Sequence, residues 1–474
     1  MRNTEPATTL RQLTRNCNPQ MTINANHPFY VDVDAARNSK EVAPVRKRIK
    51  NTLVQCAEDN RELMEEDLSL SNLQYKKLLF VGHRASGKST ELMVLKDEIT
   101  DYYEVIFIEN VNAFQDRFRD EKEFIYFIGE RIMDYCSSNP YLSIETQEKV
   151  EGIYNFLETE MFSNLKEVSE KAKTFNVSAG FGAEASAGGE TSLLCKLSAM
   201  LLASLAANKT YNDEQKTIIE RNKVTYFDQF LSYVNEMIDA INYALIKRNK
   251  TLLLIIDGLD KITDFSKTEK IFLGDNETLT SLHSSMIVTY PLYLRFSDKN
   301  TLATRRFDGQ PFKLSQIKTH ERDQSNHNEG IKAMWNILKK RLDVKALFEN
   351  PDDLTTAIIN SGGNIRDLFS YLVFAATNAA SLGLDKIRTI DLELAYQDKQ
   401  GVFNVMLTQE YALVMKKILE DETKEYVIQQ ENENNILLRL CDSEMIVEYN
   451  GTGWFDLHPM AKEVLERKIK AGVI

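Results

Sequence analysis

The chain has 474 residues, of which 43% are apolar and 27% are charged, and its formal net charge is −12 at pH 7. This length allows two or three globular domains, and the negative charge means that binding to nucleic acid needs a local basic patch. No apolar run is long enough to span a bilayer and no apolar segment lies near the amino terminus, so the sequence predicts neither a membrane span nor a secretory signal, and we expect a cytoplasmic protein.

Residues 1–64 are predicted to form a leader that packs beside a nucleotide-binding domain. Residues 1–40 look polar and irregular, whereas residues 42–64 carry apolar side chains at helical spacing. Tyr30 and Val31 are candidates for lining an adenine pocket. The alternative interpretation is that both are surface strand residues.

The central motif is a glycine loop between a strand-like run, residues 77–82, and a predicted helix, residues 91–99. It has the pattern G-x-x-x-x-G-K-[ST], in which glycines let backbone N–H groups approach phosphate oxygens. Lys88 is expected to reach the β- and γ-phosphates and Ser89 to hold Mg²⁺. The sequence therefore predicts a site for ATP and Mg²⁺ whose nucleotide-binding residues are Gly82, His83, Arg84, Ala85, Ser86, Gly87, Lys88, Ser89 and Thr90.

Four further runs are typical of strands in a buried parallel sheet, at residues 103–108, 252–257, 286–290 and 311–315. The alternation of strands and helices stops between the first two of these runs, which predicts an insertion at about residues 140–225. Inside it, a stretch rich in glycine and alanine precedes an apolar segment. For that segment we weigh packing on its own domain against contact with another subunit or partner.

Phosphoryl transfer also requires a metal ligand, a positioned water and charge compensation. Asp257 ends an apolar strand and is predicted to join the Mg²⁺ shell. Asp260 is predicted to polarise the attacking water, although aspartate in such a turn also serves as a cap. Thr289 ends the next strand, where its hydroxyl can touch the γ-phosphate or the water. A plain strand residue is the alternative for Thr289.

The carboxyl-terminal third is mostly helical in pattern. The run Ser361-Gly362-Gly363-Asn364 is predicted to open a helix that carries Arg366 one turn inside it, and that arginine is either close to the nucleotide or solvated. The last seventy or so residues predict two helical segments, a helix at residues 434–442 and a hairpin around residues 450–453.

In this order the parts resemble the AAA+ ATPases, in the branch that joins the origin-recognition and initiator-loader ATPases to STAND signalling ATPases such as the NACHT and KAP proteins. The resemblance covers residues 75–474. It rests on a Walker A loop (82–89), a Walker B strand (252–260), a sensor-1 strand ending at Thr289, a sensor-2-like run (361–368) and a winged helix ending in residues 454–459.

The resemblance implies an α/β fold, with a parallel five-stranded sheet in the order 5-1-4-3-2, a helical lid, and ATP between lid and base. The expected units are the leader, an ATPase core at 65–318, a lid at 319–400 and a winged-helix domain at 401–474. An arginine finger is implied before the fifth strand, and Arg305 and Arg306 are the candidates. Gly258 stands where most AAA+ enzymes have glutamate, which implies slow, switch-like hydrolysis.

Three functions remain open, because one fold carries all of them. The favoured one is an ATP-hydrolysing switch that oligomerises and couples its nucleotide state to a protein partner or effector, with bacterial anti-phage defence suggested by the resemblance alone. The alternatives are a DNA-loading or DNA-sensing ATPase and a scaffold without turnover. Residues 401–474 contain thirteen Asp or Glu and eight Lys or Arg, which disfavours a DNA reader.

Overall fold

The computed structural model describes residues 5–37, 42–66, 70–161, 213–274, 277–421, 423, 431–449 and 454–474. No helix within these ranges is long and apolar enough to cross a membrane. The stretch rich in glycine and alanine, together with the apolar segment after it, lies outside the described residues.

A five-stranded sheet forms the base of the molecule. Its strands are β1 (Lys77–Gly82), β2 (Tyr103–Ile108), β3 (Thr251–Ile256), β4 (Ser285–Thr289) and β5 (Phe312–Leu314). Every neighbouring pair is parallel and the order is β2-β3-β4-β1-β5, which confirms the predicted order 5-1-4-3-2. All residues of β1, β3 and β4 are buried, as expected for strands covered on both faces.

Helices flank this sheet. They are α2 (Val45–Glu66), α3 (Lys88–Glu98), α4 (Glu121–Ser137), α5 (Pro140–Phe156), α6 (Asp213–Thr225), α7 (Phe227–Ile246), α8 (Phe265–Leu273), α9 (Leu292–Phe296) and α10 (Asn300–Arg306). Helix α3 begins at Lys88, three residues earlier than the apolar spacing predicted, and Gly87 occupies its N-cap position. That start brings the first backbone N–H groups of the helix to the glycine loop.

The expectation of an irregular amino terminus was wrong for one segment, which forms α1 (Leu10–Asn16). The side chain of Thr9 caps its start and Gln12 returns the bond, a capping box that the sequence T-x-x-Q could have revealed. Leu10 and Leu13 are buried in one cluster with residues of the lid. The leader therefore packs on the lid as well as on the base.

The lid consists of five helices after β5. They are α11 (Asn328–Arg341), α12 (Val344–Leu347), α13 (Asp353–Asn360), α14 (Ile365–Ser381) and α15 (Thr389–Met406). Helix α1 packs along α14 and completes the apolar core of the lid.

A small unit ends the chain. It contains α16 (Gln409–Glu420), α17 (Glu431–Asp442), the antiparallel pair β6 (Ile446–Tyr449) and β7 (Trp454–Leu457), and α18 (Pro459–Lys470). This order of helices and hairpin is compatible with the predicted winged helix, whose assignment stays a prediction, as do the domain boundaries. All residues of β6 and β7 are buried, so these strands face the rest of the molecule.

Candidate functional site

The glycine loop connects β1 to α3, and two of its glycines are required by geometry. Gly87 has a φ of 96°, in the left-handed region that favours glycine. A Cβ on Gly82 would lie 2.7 Å from the carbonyl oxygen of Leu314 on the neighbouring strand. The loop thus leaves backbone N–H groups and a helix amino terminus facing one cleft, an arrangement suited to phosphate.

Lys88, the lysine of the loop, is buried and held by three acceptors. Its Nζ donates to the carbonyl oxygens of Gly82 (2.7 Å) and His83 (2.9 Å) and lies 2.9 Å from Oδ2 of Asp260. Burial raises the pKa of Asp260, but the cations Lys88 and Lys261 outweigh it and hold that pKa below its ordinary value. The lysine and the carboxylate are therefore a charged pair beside the cleft.

Ser89 and Asp257 form the second part of the site. The Ser89 hydroxyl donates to Oδ2 of Asp257 at 2.6 Å. The other oxygen, Oδ1, is buried and has no hydrogen-bond partner among the residues that the structure describes. Burial raises the pKa of Asp257, and Lys261 partly opposes this. A hydroxyl beside a carboxylate with a spare oxygen fits Mg²⁺, which prefers oxygen ligands and takes others from phosphates.

Thr289 lies beneath the turn that carries both carboxylates. Its hydroxyl oxygen accepts hydrogen bonds from the backbone N–H groups of Gly258 (2.9 Å) and Leu259 (3.1 Å). Gly258 has a φ of 108° and a Cβ there would lie 2.8 Å from the backbone nitrogen of Val111, so the turn has little freedom. These contacts give Thr289 a positioning role, and its contact with phosphate or water stays a prediction.

A cleft of about 140 Å³ lies between the glycine loop, the leader and the lid. This volume lies below the range of about 300 to 1,000 Å³ that is typical of small-molecule sites. Its apolar wall comprises Ile23, Phe29, Val31, Val33, Ile337, Ile365 and Phe369. Tyr30 also lines the cleft, so both predicted leader residues lie at its wall, and their contact with a base stays a prediction.

Arg366 lies at the wall of the cleft, in the first turn of α14. The Asn364 side chain caps this helix by accepting from the N–H of Arg366 at 2.9 Å. A Cβ on Gly363 would lie 1.8 Å from the carbonyl oxygen of Ile317, so the helix start touches the base closely. The guanidinium donates to the carbonyl oxygen of Pro19 in the leader at 3.4 Å. Arg366 therefore joins lid and leader beside the cleft instead of extending into solvent.

The two candidate finger arginines differ in their surroundings. Arg306 donates to the carbonyl oxygens of Phe272 (3.4 Å) and Gly274, and its Nε lies 3.7 Å from Glu277. Arg306 is therefore held by contacts within its own domain. Arg305, at the end of the same helix, is exposed. The surroundings favour Arg305 as the residue offered to a neighbouring subunit, and the finger itself stays a prediction.

The carboxyl-terminal unit contacts the glycine loop directly. Nε2 of His83 accepts a hydrogen bond from the backbone N–H of Glu448 at 2.9 Å, and burial lowers the pKa of His83 to about 3. A neutral ring can accept this bond. The Glu448 carboxylate is buried between Arg295 (2.7 Å) and Lys313. No local sequence pattern predicts this cluster, because its members are far apart in the sequence.

A second charged cluster, also missed from the sequence, fixes the leader to α3. Arg46 of α2 pairs with Asp32 (2.7 Å), with Glu91 and with Glu98 (3.1 Å). It also donates to the Tyr30 hydroxyl at 3.1 Å. Only the fold shows that an arginine of α2 holds the leader over the cleft.

Comparison with protein-family models found no match, and comparison with curated proteins found none. Three solved structures are similar to the chain. A Walker-type ATPase of Pyrococcus abyssi has a TM-score of 0.34 at 12% identity, covering 93% of this chain and 99% of that one. The ORC2 protein of Aeropyrum pernix, in ADPNP and ADP complexes, has 0.34 at 11%, covering 88% and 93%. Cdc6p of Pyrobaculum aerophilum has 0.32 at 12%, covering 94% and 99%.

Likenesses at these scores assign no activity to the chain. Its own features define its class: the sheet order, the glycine loop between β1 and α3, and the helical lid over the cleft make this an α/β fold of the AAA+ P-loop type.

Proposed function

We propose that the protein is an ATP-binding and ATP-hydrolysing switch of the AAA+ type, which oligomerises and couples its nucleotide state to a protein partner. The observation that carries the proposal is the cluster of Lys88, Ser89, Asp257 and Asp260. These residues come from distant parts of the sequence. Lys88 and Ser89 line the cleft, and the carboxylates of Asp260 and Asp257 contact them.

Each residue has a defined task in this proposal. Ser89 and Asp257 would hold Mg²⁺, which supplies charge neutralisation at the phosphates when bound. Lys88 compensates phosphate charge, and to do so it leaves its pair with Asp260. The freed carboxylate then orients the attacking water. Loading of the site and readiness for hydrolysis are thus linked through one ion pair.

Two contacts carry the nucleotide state away from the site. Arg366 joins the lid to the leader at the wall of the cleft. His83, inside the glycine loop, is bonded to the carboxyl-terminal hairpin. A rearrangement of the loop around phosphate therefore acts on both the lid and the small unit. The described strands of the hairpin are buried, which supports a protein-facing role over DNA loading, the alternative function.

The proposal is tested with three variants of the full chain, Lys88→Ala, Asp257→Asn and Asp260→Asn. Lys88→Ala should lose Mg·ATP binding in titration calorimetry, because phosphate loses its main cation. Asp260→Asn should retain binding but lose turnover by at least about 100-fold, because only the positioning of water suffers. Lys96→Ala, on the outer part of the same helix, is the matched control. Wild-type affinity in a folded Lys88→Ala protein, or wild-type turnover in both Asp257→Asn and Asp260→Asn, would refute the proposal.

A further inference from the structure

Lys261 follows the two site carboxylates and was not singled out from the sequence. It ends the short helical turn at residues 259–261, and its backbone N–H bonds to the carbonyl oxygen of Gly258 at 3.2 Å. Because Thr289 fixes this turn from below, the backbone that presents Lys261 is rigid. The side chain lines the cleft together with Lys88 and Ser89.

The Lys261 ammonium is held only loosely. Its Nζ lies 3.8 Å from Oδ2 of Asp257, which makes an ion pair but exceeds hydrogen-bond distance. Its side chain is 31% exposed, whereas that of Lys88 is 4% exposed and bonded at 2.7 and 2.9 Å. Of these two cations beside Ser89, Lys261 is the one whose charge is free to swing into the cleft on its flexible stem.

The position of Lys261 indicates which part of a ligand it meets. Ser89 and Asp257 would hold Mg²⁺ at one end of the site, where the metal would neutralise the charge of the terminal phosphates. Asp257 is also the present counter-charge of Lys261. Two cations repel each other across one carboxylate, so we expect Lys261 to turn from Asp257 toward the cleft when the site is loaded.

We propose that Lys261 is a specificity-determining residue, whose ammonium contacts the terminal phosphate of a nucleoside triphosphate and makes the site prefer ATP to ADP. This inference rests on the proposed function and adds a residue to it. A lysine that only neutralised Asp257 would affect both nucleotides equally, or affect the stability of the empty protein, and this difference makes the proposal testable.

The experiment compares Lys261→Gln, Lys261→Met and Lys261→Arg in the full chain. Affinities for ADP and for the non-hydrolysable triphosphate AMP-PNP, each with Mg²⁺, are measured by titration calorimetry. Both neutral variants should weaken AMP-PNP binding by about tenfold or more, the effect expected of losing one bond between charged groups, with ADP affinity unchanged. Lys261→Arg should retain most of the preference. Lys270→Gln, on the exposed end of α8, is the matched control and should bind both nucleotides as the wild type does.

Equal losses for the two nucleotides, or no loss for either, would overturn the proposal. Thermal unfolding without nucleotide tests for a structural role. A lowered unfolding midpoint in both neutral variants, with the preference for AMP-PNP over ADP intact, also contradicts the proposal. The proposed function itself is refuted if the wild-type protein binds neither ADP nor AMP-PNP. A wild-type protein that binds both, with variants that keep its preference, refutes only the role of Lys261.

Discussion

Two opposite charges, the Lys88 ammonium and the Asp260 carboxylate, are buried side by side at the end of β1. Removing one partner of a buried pair typically costs about 3 to 5 kcal/mol, because the other charge loses its compensation. The folded-state pKa of Asp260 is depressed, so its contribution to stability is present above its unfolded-state pKa and is lost as the pH falls through the folded-state value.

Lys88→Ala should reverse this dependence. Burial then acts on Asp260 with Lys261 and the Thr289 side chain opposing it but without Lys88, so the folded-state pKa rises and the ionised carboxylate destabilises the fold. We expect the deficit of the variant relative to wild type, measured by urea unfolding, to shrink as the pH falls from about 7 to about 5. Lys88→Ala/Asp260→Asn, which removes both charges, should lack this pH dependence. A deficit that is constant with pH in the single variant would contradict the predicted effect.

Helix α10 presents its two final arginines in opposite settings. Arg306 is fixed to carbonyl oxygens at the end of α8, whereas Arg305 is exposed. Within the last turn of this seven-residue helix, Arg306 therefore has a structural role whereas Arg305 is exposed at the surface. Adjacent side chains on a helix point about 100° apart, which is why the sequence pair alone left both as candidates.

Arg305→Ala should lower turnover without lowering stability, because a finger acts on the active site of a neighbouring subunit. Arg306→Ala should lower the unfolding midpoint, since carbonyl oxygens lose their donor. Mixing Arg305→Ala with Lys88→Ala should restore part of the activity, because each protein supplies what the other lacks. Absence of rescue in a mixture shown by particle imaging to co-assemble would argue against a finger in trans.

The carboxyl-terminal unit, the sheet and the glycine loop share one buried ionic cluster. The cations Lys313 and Arg295 outweigh burial and lower the pKa of Glu448, so the carboxylate is ionised. Its backbone N–H meanwhile bonds to His83. One residue therefore joins the small unit to β5, to α9 and to the phosphate site.

Glu448→Gln should loosen this junction, because it leaves two neighbouring cations without their carboxylate. We expect faster hydrogen exchange both in β6–β7 and at residues 83–86 of the glycine loop. Glu466→Gln, in α18 and away from the cluster, is the control. Faster exchange in the hairpin with an unchanged glycine loop would show that the two are not coupled.

Local sequence patterns predicted the five strands, the glycine loop and the capped start of α14. The resemblance to a known family predicted the order of the strands. Local patterns failed at α1, where a capping box was overlooked in a polar segment. Of the site residues that came from motifs, Lys88, Ser89 and Arg366 line the cleft, and Asp260 and Asp257 contact the first two. Those that depend on distant neighbours, such as Glu448 and Arg46, had no signal in the sequence.

The sequence by itself determined what depends on short-range geometry. Glycine at positions 82 and 87 and an apolar strand before them predict a loop whose backbone N–H groups can approach phosphate. Only the tertiary structure decided which charges meet. It paired Lys88 with Asp260, left Lys261 loosely held at the cleft, committed Arg306 but not Arg305, and placed His83 against the hairpin. The reason is physical: burial and charge pairing act through distance in space, and residues that are hundreds of positions apart become neighbours only when the whole core packs.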